Sequence, residues 1–224
     1  AQLETESLAA KAAEFKTTNN DDTIGWIRIP NTNVDYPVVY KAGVENYAYY
    51  ESKGYDKQYS KDGVIWADYE CTFPELSQNT TLYGHNWHNI YTPRTQANMQ
   101  ANDLMFSLVM SYNYTDFAQE NPFIYFSTTE QDYVFQVFAS YYTDLNFGYN
   151  YAQMSQEDFQ KVIAEAKAKS LSNYNVPVTS EDKIVTLSTC TRVHGNTNNQ
   201  RFVVMAKLVP VGTPSTTIST HSNP

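Results

Sequence analysis

The sequence predicts a closed, mostly antiparallel β-barrel that carries a few helices. Three observations carry that expectation. Eight short runs rich in β-branched and aromatic residues are spread along the chain and bounded by turn residues. The 224 residues include 19 tyrosines and 11 phenylalanines, side chains that suit half-buried strand positions. Helical stretches are too few to alternate with the strands, which argues against βαβ units.

Taken in order, residues 3–16, "LETESLAAKAAEFK", read as a helix with Leu8, Ala12 and Phe15 on one face. "NNDD" ends it. "TIGWIRIP" (23–30) and "VDYPVVY" (34–40) are the first two strand runs, separated by "NTN". "GVIWADY" (63–69) and "NTTLYGHN" (79–86) follow. "DLMFSLVMSY" (103–112) is apolar enough for a buried helix. Residues 122–142 read as two strands joined by the turn "TTEQD". "SQEDFQKVIAEAKAKSL" (155–171) is an amphipathic helix with Phe159, Val162, Ile163 and Ala166 on one face. Ser155 and Asp158 resemble a capping box in which Asp replaces the usual Glu. "DKIVTLSTC" (182–190) and "QRFVVMAKLV" (200–209) complete the eight strands. These divide the chain into an N-terminal helical segment (1–20), a barrel (21–210) and a Ser/Thr/Pro-rich tail (211–224) expected to be disordered.

The charge balance narrows the function. A formal net charge of −9 and the lack of any Lys/Arg-rich run argue against a nucleic-acid partner. No stretch approaches the roughly 20 apolar residues that span a bilayer. With no signal peptide and no initial Met, the chain reads as a processed or truncated form whose membrane contact would be an N-terminal anchor absent from it. Cys71 and Cys190 allow one disulfide and are too few for a structural zinc site. The four histidines lack clustered carboxylate or thiol partners, so neither a metal nor a cofactor is expected.

One strand end stands out. "DKIVTLSTC" finishes on Cys190 and opens into the polar loop "TRVHGNTNNQ". A thiolate there would be a nucleophile facing a cleft. Its natural partner is histidine. His85, just after Gly84 at the end of "TTLY", leaves its strand in the same manner, and Gly84 would permit a sharp turn or a close approach to a ligand. His88 and His194 lie in loops and His221 in the tail. Acyl transfer also needs a donor for the oxyanion. Arg201 opens the last strand and would lie beside Cys190 if 182–190 and 200–209 form a hairpin; Arg192, on the loop, is the rival. On residue types and spacing alone, a strand-end cysteine is more often core packing, so the enzyme reading stays open beside a non-catalytic, tyrosine-rich binding barrel.

The motifs in sequence order resemble the sortases, the cysteine transpeptidases that attach surface proteins to the wall of Gram-positive bacteria. "TLSTC" followed by "RFVVMAKLV", with "TLYGHN" about a hundred residues earlier, carries the resemblance. "GWIRIPNTNVDYPVVY", "GVIWADY" and "MFSLVMSYNYTDFAQENPFIYFST" are similar to segments of class B, as is a long helix between the sixth and seventh strands. The resemblance runs from about residue 8 to 209. It implies an eight-stranded sortase-type barrel, with Cys190 as nucleophile, His85 as its histidine and Arg201 as the arginine opening the eighth strand. Ser188 and Thr189, and more weakly Tyr83, would line the substrate groove. The implied donor is a Thr-containing sorting signal of a surface protein or pilin. The implied acceptor is an amine of a peptidoglycan precursor or a pilin lysine, at the extracellular face of the membrane. A pilin-polymerising sortase and a hydrolytic cysteine peptidase are the alternatives. The loop between Cys190 and Arg201, with His194, departs from the pattern, and Cys71 is expected to be a free, non-catalytic thiol.

Overall fold

The computed structural model describes residues 6–221. Residues 3–5 of the expected N-terminal helix and 222–224 of the tail lie outside that range. Eight strands close into one barrel: β1 (Thr23–Arg28), β2 (Asp35–Val39), β3 (Ile65–Ala67), β4 (Asn79–Tyr83), β5 (Phe123–Thr128), β6 (Asp132–Asp144), β8 (Ile184–Cys190) and β9 (Gln200–Val209). They run around it in the order β1-β2-β3-β4-β8-β9-β6-β5, and β5 pairs back onto β1. Two pairings are parallel, β2 with β3 and β4 with β8; the rest are antiparallel. The eight expected strand runs are the eight barrel strands. Their buried side chains, among them Ile27, Val38, Ile65, Leu82, Phe126, Phe135, Leu187 and Val204, form the main core.

Helix α1 (Leu8–Thr18) starts where the Ser7 hydroxyl accepts from the Ala10 amide. Its Ala9 amide also donates to Asp132 at the β5–β6 turn, 2.8 Å away. Leu8 and Ala12 are buried, and Phe15 meets the edges of Trp26 and Tyr55. The helix is therefore docked on the barrel wall. Helix α3 (Gln156–Lys169) lies between β6 and the short strand β7 (Ser172–Asn173). The Ser155 hydroxyl accepts from the Asp158 amide, as the capping pattern predicts. Phe159, Ile163 and Ala166 are buried on its inner face.

Two local expectations are corrected, and one short helix is added. The apolar run at 103–112 is not an α-helix. It is a 3₁₀ helix, Ser107–Asn113, entered through Met105 at a φ of 53°. Residues Ser107 to Tyr112 are buried, so packing on all sides rather than an amphipathic period decides its form. A further helix, α2 (Thr115–Glu120), follows; its six residues are too few to show a 3.6-residue period. The tail is ordered along the barrel through residue 221. Its strand β10 (Ser219–Thr220) pairs with β7, and Ile218 is buried. The Gln119 side chain donates to the Thr216 carbonyl and accepts from the Ile218 amide. One apolar residue and a series of side-chain-to-backbone hydrogen bonds hold a segment whose composition reads as unstructured.

Candidate active site

The register of three adjacent strands places the key residues. Parallel pairing sets Tyr83 of β4 opposite Ser188 of β8. Two residues further along each chain come His85 and Cys190, at the same end of the barrel. The Gly84 amide still donates to the Ser188 carbonyl, so the two chains stay together as they leave the sheet. On the other side, antiparallel pairing sets Cys190 directly opposite Arg201. Neighbouring strands lie about 4.8 Å apart. Cys190 is thus flanked by the histidine-bearing chain and by the arginine-bearing strand. A cleft of about 290 Å³ is lined by all three residues.

Each side chain is held by its surroundings. The His85 ring is stacked on Trp87, with centroids 5.2 Å apart, and tilted against Trp66 at 5.6 Å. Its Nε2 lies 2.5 Å from the Glu51 carbonyl oxygen. A carbonyl only accepts, so Nε2 carries the hydrogen and Nδ1 is left as the nitrogen available for proton transfer. Gly63, at a φ of 70°, packs under the ring, where a Cβ would fall 2.8 Å from His85 Cδ2. Gly84 has a different role from the one expected. Its missing Cβ makes room for Phe106 and Ile65, whose atoms would lie 2.6 and 2.7 Å away, so the core presses on the backbone just before His85. Arg201 Nη1 donates to the carbonyls of Asn198 and Gln200, both at 2.9 Å, which anchors the guanidinium at the start of its strand.

The residues expected in the substrate groove are present but already engaged. Ser188 and Thr189 are buried and line the cleft. The Ser188 hydroxyl is hydrogen-bonded to the Tyr149 hydroxyl at 2.8 Å, and Thr189 donates to the Gly84 carbonyl at 2.7 Å. Tyr83 donates to Asp68 at 2.6 Å and accepts from the Asn150 amide at 2.9 Å. Burial raises the Asp68 carboxyl above its ordinary range and favours its neutral form. These contacts fix the cleft wall.

Among the sequence's other candidates, Arg192 is tied to Asn196 and Asn198 on its loop and does not line this cleft. His194 packs edge-on against Tyr142, in a different hollow. The His88 carbonyl accepts from Arg94, and His221 lies against the Ser170 carbonyl. Sequence reasoning missed Asn86. It is buried and donates to the carbonyls of Asn89 and Cys190, at 2.8 and 3.1 Å, tying the histidine loop to the cysteine strand end. Its position directly after His85 in "GHN" was the only signal.

The two cysteines differ sharply. Neither forms a disulfide; Cys190 is exposed and Cys71 buried. Burial pushes the Cys71 thiol up to about 12, so it stays protonated and unreactive near neutral pH. Brief treatment of the folded protein with iodoacetamide at pH 7.5 should therefore add one carbamidomethyl group, on Cys190. Peptide mapping that finds Cys71 modified at a comparable rate contradicts this.

Comparison with known proteins identifies the family. The family model for the sortase domain matches residues 27–209. The chain belongs to the sortase family. Sortase B of Staphylococcus aureus is 31% identical over 193 residues, covering 86% of this chain and 72% of that protein. The solved Staphylococcus aureus sortase B–substrate complex superposes with a TM-score of 0.75 at 28% identity, covering 92% of this chain and 88% of that one. A sortase B structure complexed with triglycine gives 0.72 at 28% identity, covering 91% and 89%. The sortase is thus of class B and is a cysteine transpeptidase, with the class's eight-stranded barrel, N-terminal helix and helix after β6.

Proposed function

We propose that Cys190, His85 and Arg201 form the catalytic set and that the enzyme transfers a Thr-containing sorting signal to an amine of the cell wall. The observation that carries this reading is the strand register, which sets Cys190 between the other two. The Cys190 thiolate attacks the carbonyl carbon after Thr, in a signal resembling Asn-Pro-x-Thr. The C–N bond breaks, and the His85 imidazolium gives its proton to the departing amine. The Arg201 guanidinium donates to the oxyanion of the tetrahedral intermediate. The incoming amine then loses a proton to His85 and attacks the thioacyl carbon. The C–S bond breaks and the thiolate is restored.

The likeness to a sortase B solved with its substrate supports a peptide donor, and the likeness to one solved with triglycine supports an amine acceptor. The setting is the extracellular face of the membrane, with the protein anchored through an N-terminal segment. The acceptor is an amine of a peptidoglycan precursor, or a pilin lysine if the enzyme polymerises pili. Incubation with a small library of Thr-containing pentapeptides plus a simple amine, read by mass spectrometry, tests the reaction. Amide product supports transfer; free acid alone supports a hydrolase.

Arginine substitution separates the two candidates for the oxyanion. Arg201→Ala should lower kcat/KM by about 10²–10³, the usual cost of an oxyanion donor. Arg192→Ala should stay within about twofold, since its guanidinium bonds only to its own loop. Steady-state assays in which the two variants lose activity equally would contradict the assignment.

A further inference from the structure

The chains that leave β4 and β8 stay joined beyond the sheet, and side chains make the joints. A continuing parallel ladder would bring backbone amides to the carbonyls of Gly84 and Cys190. Here the Thr189 hydroxyl donates to the first at 2.7 Å, and the Asn86 side-chain amide donates to the second at 3.1 Å. Further out, the Arg192 amide donates to the Ile90 carbonyl at 2.7 Å. Asn86 is therefore a bridge from the residue beside His85 to the backbone of Cys190 itself.

That bridge is rigid. The Asn86 Oδ1 accepts from the Asn89 amide at 2.9 Å, which fixes the other end of the side chain as the donor. Its Nδ2 donates to the carbonyls of Asn89 and Cys190, and the Met110 sulfur lies 3.1 Å away. Asn86 and Asn89 are both buried, so neither amide has water to fall back on. Asn89 in turn donates to the Ser107 carbonyl at 2.8 Å and accepts from the Arg94 amide at 3.0 Å. The Arg94 guanidinium grips the buried Asp103 carboxylate through two hydrogen bonds, at 2.8 and 2.6 Å. A buried polar strut thus runs from Asp103 through Arg94, Asn89 and Asn86 and ends on the Cys190 carbonyl. Asn86 does not line the catalytic cleft.

Resting on the catalytic set proposed above, we propose that Asn86 is a positioning residue: its amide fixes the separation of the His85 ring from the Cys190 sulfur. The Glu51 carbonyl sets how the ring is turned. The Asn86 bridge sets how far apart the two backbones stand that carry ring and sulfur. Proton transfer between them depends on that spacing, and a displacement of about 1 Å can cost about 10²-fold in rate. Because Asn86 stands outside the cleft, its loss acts on turnover rather than on peptide binding.

The test is a kinetic cycle on Asn86→Ser and His85→Ala, read by peptide cleavage. Serine keeps a hydroxyl that can accept from the Asn89 amide and hold the loop's turn, but it is too short to reach the Cys190 carbonyl. Asn86→Ser should lower kcat by about 10–10²-fold and leave KM within about threefold. In the His85→Ala background the same substitution should cost less than about twofold more, because no ring is left to place. Asn121→Ala is the structural comparator. Asn121 is also buried, donates to the Phe117 carbonyl, accepts from Asn31 and lies away from the cleft. Its kcat should stay within about twofold of wild type. Protection of Cys71 from iodoacetamide reports the fold of each variant. If Asn86→Ser does not fold, Arg94→Lys loosens the same strut further from the site, since lysine cannot grip Asp103 with a fork. It should then lower kcat at least about threefold, and again not in the His85→Ala background. A wild-type kcat in the folded strut variant overturns the proposal. So does an equal loss in Asn121→Ala, or a loss that persists in full without His85. If His85→Ala and Cys190→Ala themselves cleave at the wild-type rate, the catalytic set fails and this role fails with it. If they are inactive and only the strut variant is normal, the positioning role alone is wrong.

Discussion

Cys190→Ala should abolish cleavage of a Thr-containing peptide, by at least about 10³-fold in kcat, while the folded barrel keeps its melting temperature within a degree or two. The size of the loss follows from the absence of a substitute. Cys71 is buried and held protonated, and it lies away from the cleft lining. The stability expectation follows from the exposure of Cys190 at the last position of its strand. Its neighbours Ser188 and Thr189, not its sulfur, carry the hydrogen bonds that hold the strand end. Thermal denaturation and a peptide-cleavage assay on the same preparation separate the two effects. A variant that folds and still cleaves would contradict the assignment of Cys190 as the nucleophile.

His85→Ala should lower kcat by about 10²–10⁴, the usual range for a lost general acid–base. The ring has two duties in the proposed reaction: it protonates the departing amine and takes a proton from the incoming one. The Glu51 carbonyl holds Nε2, so both transfers run through Nδ1. The pH profile carries the same content. The proposed reaction starts from the Cys190 thiolate and the His85 imidazolium together. A rate that needs both charged forms rises with thiol ionisation and falls with loss of the imidazolium. The wild-type profile of kcat/KM should therefore be a bell. His85→Ala should lose the alkaline fall, because thiol ionisation alone then sets its residual rate. A wild-type profile flat from about pH 6 to about 9 would contradict the pair.

The barrel strands were legible because each is a short local run whose pattern does not depend on its partners. The Cys190–Arg201 neighbourhood was legible for a related reason. The two residues face each other across a single hairpin, and hairpin pairing is the default for consecutive strands. The approach of His85 to Cys190 is of another kind. It rests on a parallel pairing of β4 with β8, about a hundred residues apart, and no local pattern announces such a pairing. There the strand-end position of His85 made it a candidate, and the family resemblance named it as the partner.

What stayed hidden was held by backbone contacts or by packing from every side. The Glu51 carbonyl on His85 involves no side chain of residue 51, so residue type gives no hint of it. Asn86 looks like any loop asparagine until its amide is seen to reach the Cys190 carbonyl. Ser188 and Thr189 do line the cleft, but their hydroxyls serve the wall rather than facing outward unpaired. The buried 3₁₀ segment and the docked tail failed for opposite reasons. One is apolar on all sides, so no period marks its form. The other is polar almost throughout, yet the side chains of Gln119 and Asn175 bind its backbone.

The most direct test of the central claim is intact-protein mass spectrometry after mixing the enzyme with an Asn-Pro-x-Thr-containing peptide and quenching in acid. The account predicts a single added mass equal to the peptide fragment through Thr, mapped to Cys190 and discharged within seconds to minutes when an amine is supplied. No adduct despite peptide turnover, or an adduct on any other residue, would contradict it.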